Sequence, residues 1–414
     1  MTSHASPDRR ARALRLAAAT LISATLAIGG PGTAAAEAPA GLDFYTPAAD
    51  LVPGPHGSVI WSRSLTGDPG LERARNSLVL YRSVDANGND VPVSGTVSVP
   101  EGTPPPGGWP LISWAHGTTG IADGCAPSRD TGPDYPSHGY TSRVRIVQQR
   151  LLDAGYAVAQ TDYQGLGTPG RHGYLIGVTE ARAIADMALA AREIAPEIGA
   201  RWATIGHSQG GQAAVFTAAL GQEWAPQLRF AGAVAIAPGS NSRARLEILR
   251  AASAAGPAAN RLAPPGALAF LPLLVEGART AADIDPARFL TPEAIARLPL
   301  AHDYCIGDLM EPDQWGDLTP QQVMQPTADL SQLSPILDQN EPGTAHFDRP
   351  LLVMQGRRDT IVLPLGTDAT VTALLAGGQP VDYHTTEYAT DDHYTILDNG
   401  YPALLAWTNT RFDR

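Results

Sequence analysis

Lysine is missing from all 414 residues, and every one of the 29 basic side chains is arginine. Without an amine of that kind the chain cannot form a Schiff base, hold pyridoxal phosphate, supply a P-loop lysine or run a Ser–Lys dyad. Cysteine is nearly absent too. Two residues, Cys125 and Cys305, are too few for a cysteine-rich metal site, and no cofactor or metal is expected. Past residue 36 no apolar run is long enough to cross a bilayer as a helix, so no integral membrane segment is expected there. Positive charge is scarce as well. The first 36 residues hold four arginines and one acid, leaving 25 basic against 40 acidic side chains, a net of −15. A surface of that sign disfavours nucleic acid and anionic substrates and favours neutral ones.

Residues 1–36 read as a secretory signal. Arg9, Arg10, Arg12 and Arg15 form a basic start, Leu16–Ile28 an apolar core, and Ala34-Ala35-Ala36 a small-residue cleavage site. A membrane anchor is the alternative, disfavoured by the short apolar core. Arg9-Arg10 also admits a twin-arginine reading. The mature chain is expected to be secreted, extracellular and soluble. In that oxidising setting two cysteines are expected to form one disulfide.

The stretch with the most chemical content is Trp202–Gly211. A β-prone run enters Gly206-His207-Ser208-Gln209-Gly210, and the helix formers Gln212–Leu220 leave it. Gly-x-Ser-x-Gly between a strand and a helix is a nucleophile elbow. The serine sits in a tight strained turn, with glycines where the strand and helix come close. Ser208 is then the nucleophile. The backbone N–H of Gln209, at the start of a helix, is an oxyanion donor.

The remaining elements fit around it. Ser77–Ser83 and Val93–Val99 flank Asn87-Gly88, a hairpin signal. Pro110–Trp114 reads as a buried strand, followed by His116-Gly117-Thr118-Thr119-Gly120. The loop after that strand supplies the second oxyanion donor, assigned to Thr119; His116 is expected to be structural. Ser142–Ala154 and Thr179–Ala195 have helical spacing, while Tyr156–Thr161 and Phe230–Ala237 read as strands. The alternation implies an α/β fold with a mostly parallel sheet flanked by helices.

Roughly 110 residues then interrupt the pattern. Residues 241–348 are rich in Ala, Leu and Pro, with helical pieces at Arg243–Ala255 and Pro292–Leu298 and no convincing strand. The expected layout is a core first part, 37–240, a helical cap or lid, 241–348, and a core second part, 349–414; a decorative subdomain is the bland alternative to a cap. The cap's apolar residues Leu246, Ile248, Leu249, Leu262, Leu268, Phe270, Leu271, Leu273 and Leu274 are expected in part to line an acyl tunnel or to meet lipid. After the strand at Leu351–Gln355 comes Asp359, the expected third triad member, with pairing to Arg357 or Arg358 as its alternative. After Val381–Glu387 comes His393, the expected base, with His384 the weaker candidate. His207 is expected to pack or hydrogen-bond. The chain order Ser208, Asp359, His393 is that of this fold.

These motifs resemble the secretory lipase family, α/β-hydrolases of bacteria and fungi related to yeast lipase A. The resemblance rests on the elbow, the strand and loop Leu111–Gly120, Gly124-Cys125-Ala126-Pro127-Ser128, Asp162-Tyr163-Gln164-Gly165-Leu166-Gly167, Gly356–Asp359 and the His393 loop. It covers most of the chain from about residue 75; the cap matches loosely. It implies an α/β-hydrolase fold, triacylglycerol lipase or carboxylesterase activity, and a disulfide from the Cys125 loop to Cys305 in the cap. The sequence departs from the family at Thr118-Thr119, where family members carry an acidic side chain. The resulting expectation is a serine ester hydrolase working through an acyl-enzyme, with a neutral lipid or ester as substrate and a lipid surface as possible partner. A peptidase or acyltransferase on the same triad, and an inactive binding protein, are the alternatives.

Overall fold

A computed structural model describes residues 38–262 and 266–413. The expected signal, residues 1–36, lies outside the described residues. Among those described, the β-prone runs become nine strands of one sheet, in the order β1-β2-β3-β5-β4-β6-β7-β8-β9. The first three, β1 (Val59–Ser64), β2 (Ala74–Val84) and β3 (Asp90–Pro100), pair antiparallel, and β3 is antiparallel to β5 (Ala157–Thr161). From β5 through β4 (Trp109–Ala115), β6 (Ile198–His207), β7 (Arg229–Ile236), β8 (Leu351–Met354) and β9 (Val381–His384), all neighbours are parallel. The Asn-Gly signal marks the β2–β3 hairpin as expected. Asp85 Oδ1 accepts the N–H groups of Asn87 and Asn89, each at 2.8 Å, an Asx-type closure of the turn.

The central strands are apolar on both faces because both are covered. In β4, Leu111 packs into the core under α2 (Gly177–Ile194) and α3 (Gln209–Trp224), whereas Ile112 and Trp114 pack into the core under α1 (His138–Asp153). Alternation of side chains along a strand sends neighbours to opposite faces. The first face is unusually rich in alanine, with Ala183, Ala188, Ala191, Ala213 and Ala214 all fully buried. Side chains this small let α2 and α3 lie close together and close to the sheet.

Two features of the structure depart from what the sequence pattern suggests. The segment 37–70, rich in Pro and Gly, carries no strand signal of its own, yet it supplies β1 and an apolar cluster of Phe44, Tyr45, Ile60 and Trp61 over Leu78 and Leu80. Trp61 Nε1 donates to Phe44 O at 3.0 Å. Long-range packing, invisible in a Pro/Gly-rich sequence, makes that strand. Conversely β9 stops at His384 instead of reaching Glu387. It pairs only from Val381 opposite Leu351 to His384 opposite Met354, so it ends where its partner ends.

Residues 241–348 leave the sheet after β7 and rejoin it at β8. The described part is built of α4 (Ser242–Ala255), α5 (Phe270–Ala278) and short helical turns, with an isolated bridge between Leu290 and Met324. It has its own apolar core, in which Leu273, Phe289, Leu290, Leu309 and Trp315 are all but inaccessible. Cys125 and Cys305 form a disulfide between this segment and the loop after β4, and Ile306 N–H donates to Thr119 O at 2.9 Å beside it.

Candidate active site

The elbow forms because two glycines are present where the backbone permits nothing larger. A Cβ on Gly206 would lie 1.9 Å from Gly210 O, and one on Gly210 would lie 2.0 Å from Ala115 O. Backbone cannot yield to that degree, so any side chain at either position would open the turn. Between them Ser208 adopts φ 58° and ψ −117°, a conformation costing on the order of 1–3 kcal/mol for a non-glycine residue. The surrounding ladder holds it. Ser208 N–H donates to Ile236 O at 2.9 Å, and Ser208 O accepts from Gln212 N and Gly239 N.

The turn after β8 and the loop after β9 meet beside this elbow. Asp359 Oδ2 lies 2.7 Å from His393 Nδ1, and both side chains are almost wholly buried. Asp359 Oδ1 accepts the N–H groups of Ile361 and Val362, each at 2.8 Å, and Gln355 Nε2 donates to Oδ2 at 3.2 Å. These donors satisfy the carboxylate and fix its direction. Arg357 does not compete for Asp359; it pairs with Asp368. His384, the weaker histidine candidate, pairs with Asp382 and Glu387 at the sheet edge, away from Ser208.

Gln209 N–H, the first of α3, makes no hydrogen bond among the described residues, as an oxyanion donor requires. Thr119 is wholly buried, its hydroxyl has no partner among the described residues, and it lines neither cavity at Ser208. Thr118, one residue earlier, lines both, and its hydroxyl is 2.9 Å from that of Tyr174.

Tyr140, which the sequence did not single out, ties these loops together with His207. Gly117 N–H donates to the Tyr140 hydroxyl at 2.6 Å, and that hydroxyl donates to His207 Nδ1 at 3.1 Å. His207 Nε2 is 2.8 Å from the backbone oxygen of His393; a carbonyl only accepts, so Nε2 carries the proton. Burial, reinforced by His393 nearby, pushes His207 well below the ordinary imidazole value, which keeps this tautomer neutral. His207 thus bonds at the variable elbow position as expected, and it bridges α1 to the His393 loop. His116 is also structural, with Nδ1 2.7 Å from Gly117 O and burial lowering it to about 4. Asp162, buried in the resemblance motif, accepts from Ser94 Oγ, Ser128 Oγ and Ser128 N. Tyr140 precedes the helix expected from Ser142, and only the earlier start of α1, at His138, puts it in a first turn, so no sequence signal marks it.

Ser208 sits where two cavities meet. One, of about 300 Å³, extends under residues 241–348 and is lined by apolar side chains including Leu246, Leu249, Leu268, Phe270 and Leu274. The other, of about 200 Å³, holds Ser208, His393, His207, Tyr140 and Met310. Of the nine apolar residues expected in a tunnel, seven line the first cavity, including Ile248 and Leu271. Leu273 points instead into the segment's own core, and the side chain of Leu262 lies outside the described residues.

Comparisons with known proteins bear on the family and the fold. The family model described as "Secretory lipase" matches residues 141–271, the segment that holds the elbow. A probable inactive lipase of Mycobacterium tuberculosis is 24% identical over 384 residues, covering 89% of this chain and 81% of that protein. Among solved structures, Candida antarctica lipase A in its closed state superposes with a TM-score of 0.69 at 20% identity, covering 84% of this chain and 80% of that one. A ligand-bound form of the rice cell wall degrading esterase LipA from Xanthomonas oryzae superposes with a TM-score of 0.66 at 17% identity, covering 86% and 98%. Over residues 141–271 the chain resembles the secretory lipases, and as a whole it has the α/β-hydrolase fold.

Proposed function

We propose that this protein is a secreted serine ester hydrolase that cleaves carboxylic esters of acylglycerols or similar neutral lipids. The observation that carries the reading is the convergence of Ser208 and His393 on one cavity, with Asp359 bonded to the far nitrogen of His393. Ser208 Oγ attacks the ester carbonyl carbon while His393 Nε2 accepts its proton. The imidazolium formed is stabilised by Asp359 at Nδ1 and returns the proton to the departing alcohol. Water then attacks the acyl-enzyme by the same route in reverse. Gln209 N–H holds the oxyanion, and the second donor is the N–H of Thr118, one residue before the position expected from sequence. One such donor contributes about 3 kcal/mol of transition-state stabilisation.

In this reading residues 241–348 are a cap on a core made of 37–240 and 349–414, and the larger cavity takes the acyl chain. Each methylene buried there adds about 0.8 kcal/mol, so medium or long chains are favoured over acetate. Ile248, Leu363, Met310 and Tyr394 line the cavities yet are 38–55% exposed. An apolar rim around a catalytic mouth suits docking on a lipid surface. Secretion after loss of residues 1–36 accords with the disulfide. No helix of the described residues is long and apolar enough to cross a membrane.

A panel of p-nitrophenyl esters and triglycerides of rising chain length tests the assignment, with turnover of at least one neutral ester expected. A second reading, an inactive binding protein, is favoured by the name of the mycobacterial relative. A fluorophosphonate probe separates the two: labelling at Ser208 supports the enzyme, and an unlabelled, non-hydrolysing protein supports the binder.

A further inference from the structure

The ester-hydrolase reading leaves a buried polar cluster behind Gln209 unused. Glu180, in the first turn of α2, is 1% exposed; its Oε1 accepts from Gln209 Nε2 at 2.7 Å and from Leu175 N–H at 3.1 Å. Its other oxygen, Oε2, is buried without a partner among the described residues. His172 faces the same amide. Its Nδ1 is 2.8 Å from Gln164 O, and since a carbonyl only accepts, Nδ1 carries the proton and Nε2 is an acceptor. Gln209 Nε2 lies 3.0 Å from that Nε2. The Gln209 amide therefore donates both of its hydrogens, one to His172 and one to Glu180. A side chain held at both hydrogens fixes the residue whose backbone N–H opens α3 behind Ser208.

The charge state follows from the surroundings. Among the described residues no cation bonds to Glu180, so an ionised carboxylate there would be buried with one oxygen uncompensated. Burial accordingly raises Glu180 to about 8 and lowers His172 to about 4. The other titratable groups nearby are Tyr163, Tyr174 and His116. Burial keeps both phenols protonated and His116 uncharged. Arg245, beyond Tyr174, is the cation nearest in charge effect, acting on Tyr174. Near neutral pH the cluster holds no charge. A carboxylate formed there would stand behind the peptide that must stabilise a developing oxyanion, and the two negative charges would oppose each other in a dry interior.

We propose that Glu180, as an uncharged acid, and His172 are positioning residues that clamp Gln209 so that its backbone N–H meets the oxyanion, and that ionising Glu180 weakens this. The inference rests on the ester-hydrolase reading. As pH rises through about 8 the acid loses its proton, so kcat should fall on the alkaline side.

The test is kcat and KM for p-nitrophenyl butyrate between pH 5 and 10 in the full chain, in Glu180→Gln and in Glu180→Ala. The wild type should lose about tenfold in kcat above pH 8, in line with partial loss of one oxyanion donor. Glu180→Gln copies the neutral acid; it should keep kcat within about threefold near pH 6.5 and lack the alkaline fall. Glu180→Ala should lower kcat about tenfold or more with KM nearly unchanged, because the loss is confined to the transition state. An alkaline fall retained in Glu180→Gln, or a loss at pH 6.5 as large in Glu180→Gln as in Glu180→Ala, overturns the proposal. Infrared spectroscopy adds a readout independent of turnover. A buried protonated carboxyl band should be present at pH 6.5, vanish above pH 9 and be missing from Glu180→Gln. Its absence from the wild type at pH 6.5 refutes the neutral acid. A wild type without turnover sinks the ester-hydrolase reading and the positioning role with it, while the band still reports the acid.

Discussion

The sheet body and the inserted segment meet at Ser208, and they are built on opposite terms. On the body side the backbone is packed so tightly that Gly206 and Gly210 have no room for a methyl group. His207, His116, Asp162 and Asp359 are each buried with named hydrogen-bond partners. On the inserted side the cavity wall is aliphatic side chain on short helices. Directional bonds and backbone contacts tolerate almost no substitution, whereas aliphatic walls tolerate changes of volume within limits. The body is thus suited to fixing a chemistry, and the insertion to varying what is admitted to it.

Substitutions on the body side should have the largest effect. Ser208→Ala and His393→Ala are each expected to lower kcat by several orders of magnitude, roughly 10⁴–10⁶, with the circular dichroism spectrum unchanged. Near-wild-type turnover by either would end the triad assignment. The link between the two regions comes next. Replacing Cys125 and Cys305 by Ala opens a closure of 180 residues, for which chain-entropy models give on the order of 4–5 kcal/mol, with measured losses often smaller. A melting temperature lower by several degrees is expected, and no shift would mean that the insertion is held by its packing alone.

A smaller and more selective effect is expected from the cavity wall. Phe270→Trp or Leu274→Phe should move the preferred acyl length downward, changing the ratio of long-chain to acetate ester turnover by about tenfold per 1.4 kcal/mol of lost contact. Acetate turnover itself should hardly change. If both variants kept the wild-type profile and acetate were already the best substrate, the insertion would be a passive cover. The smallest effect should come from His384→Ala. Its ring nitrogens lie 3.2 Å from Asp382 and 2.8 Å from Glu387 at the edge of the sheet, away from Ser208, so kcat should stay within about twofold. A dead His384→Ala protein would make the choice of His393 untenable.

The positions of Ser208, Asp359 and His393 were legible because each follows a strand of the sheet and carries a residue type with few other uses there. The hairpin at Asn87-Gly88 and the helices α1 to α4 were legible from turn chemistry and periodicity. β1 was not, since Val59–Ser64 acquires its partners from Ser77–Tyr81 and its cover from Phe44 and Tyr45, none of them local. Thr118 and Thr119 are chemically alike. Which of them faces the cavity depends on how the loop is pinned, and Ile306 N–H and Ser137 Oγ pin it at the Thr119 oxygen. The same holds within the insertion, where Leu273 turns to the core and Leu274 to the cavity although their sequence neighbourhood is shared.

The sequence by itself determined the elbow, the order of the candidate catalytic residues, the exclusion of lysine chemistry and the presence of a long insertion between two strands. Those depend on local backbone sterics, on strand and helix periods and on residue type, all of which a chain carries before it folds. Only the tertiary structure decided that Asp359 reaches His393 across 34 residues, that His207 locks the His393 loop through its backbone oxygen, and that Glu180 and His172 grip Gln209. Those contacts join residues far apart in the chain, and at 2.7–3.0 Å they form only when packing has brought the elements into register, because a hydrogen bond is lost within a fraction of an ångström.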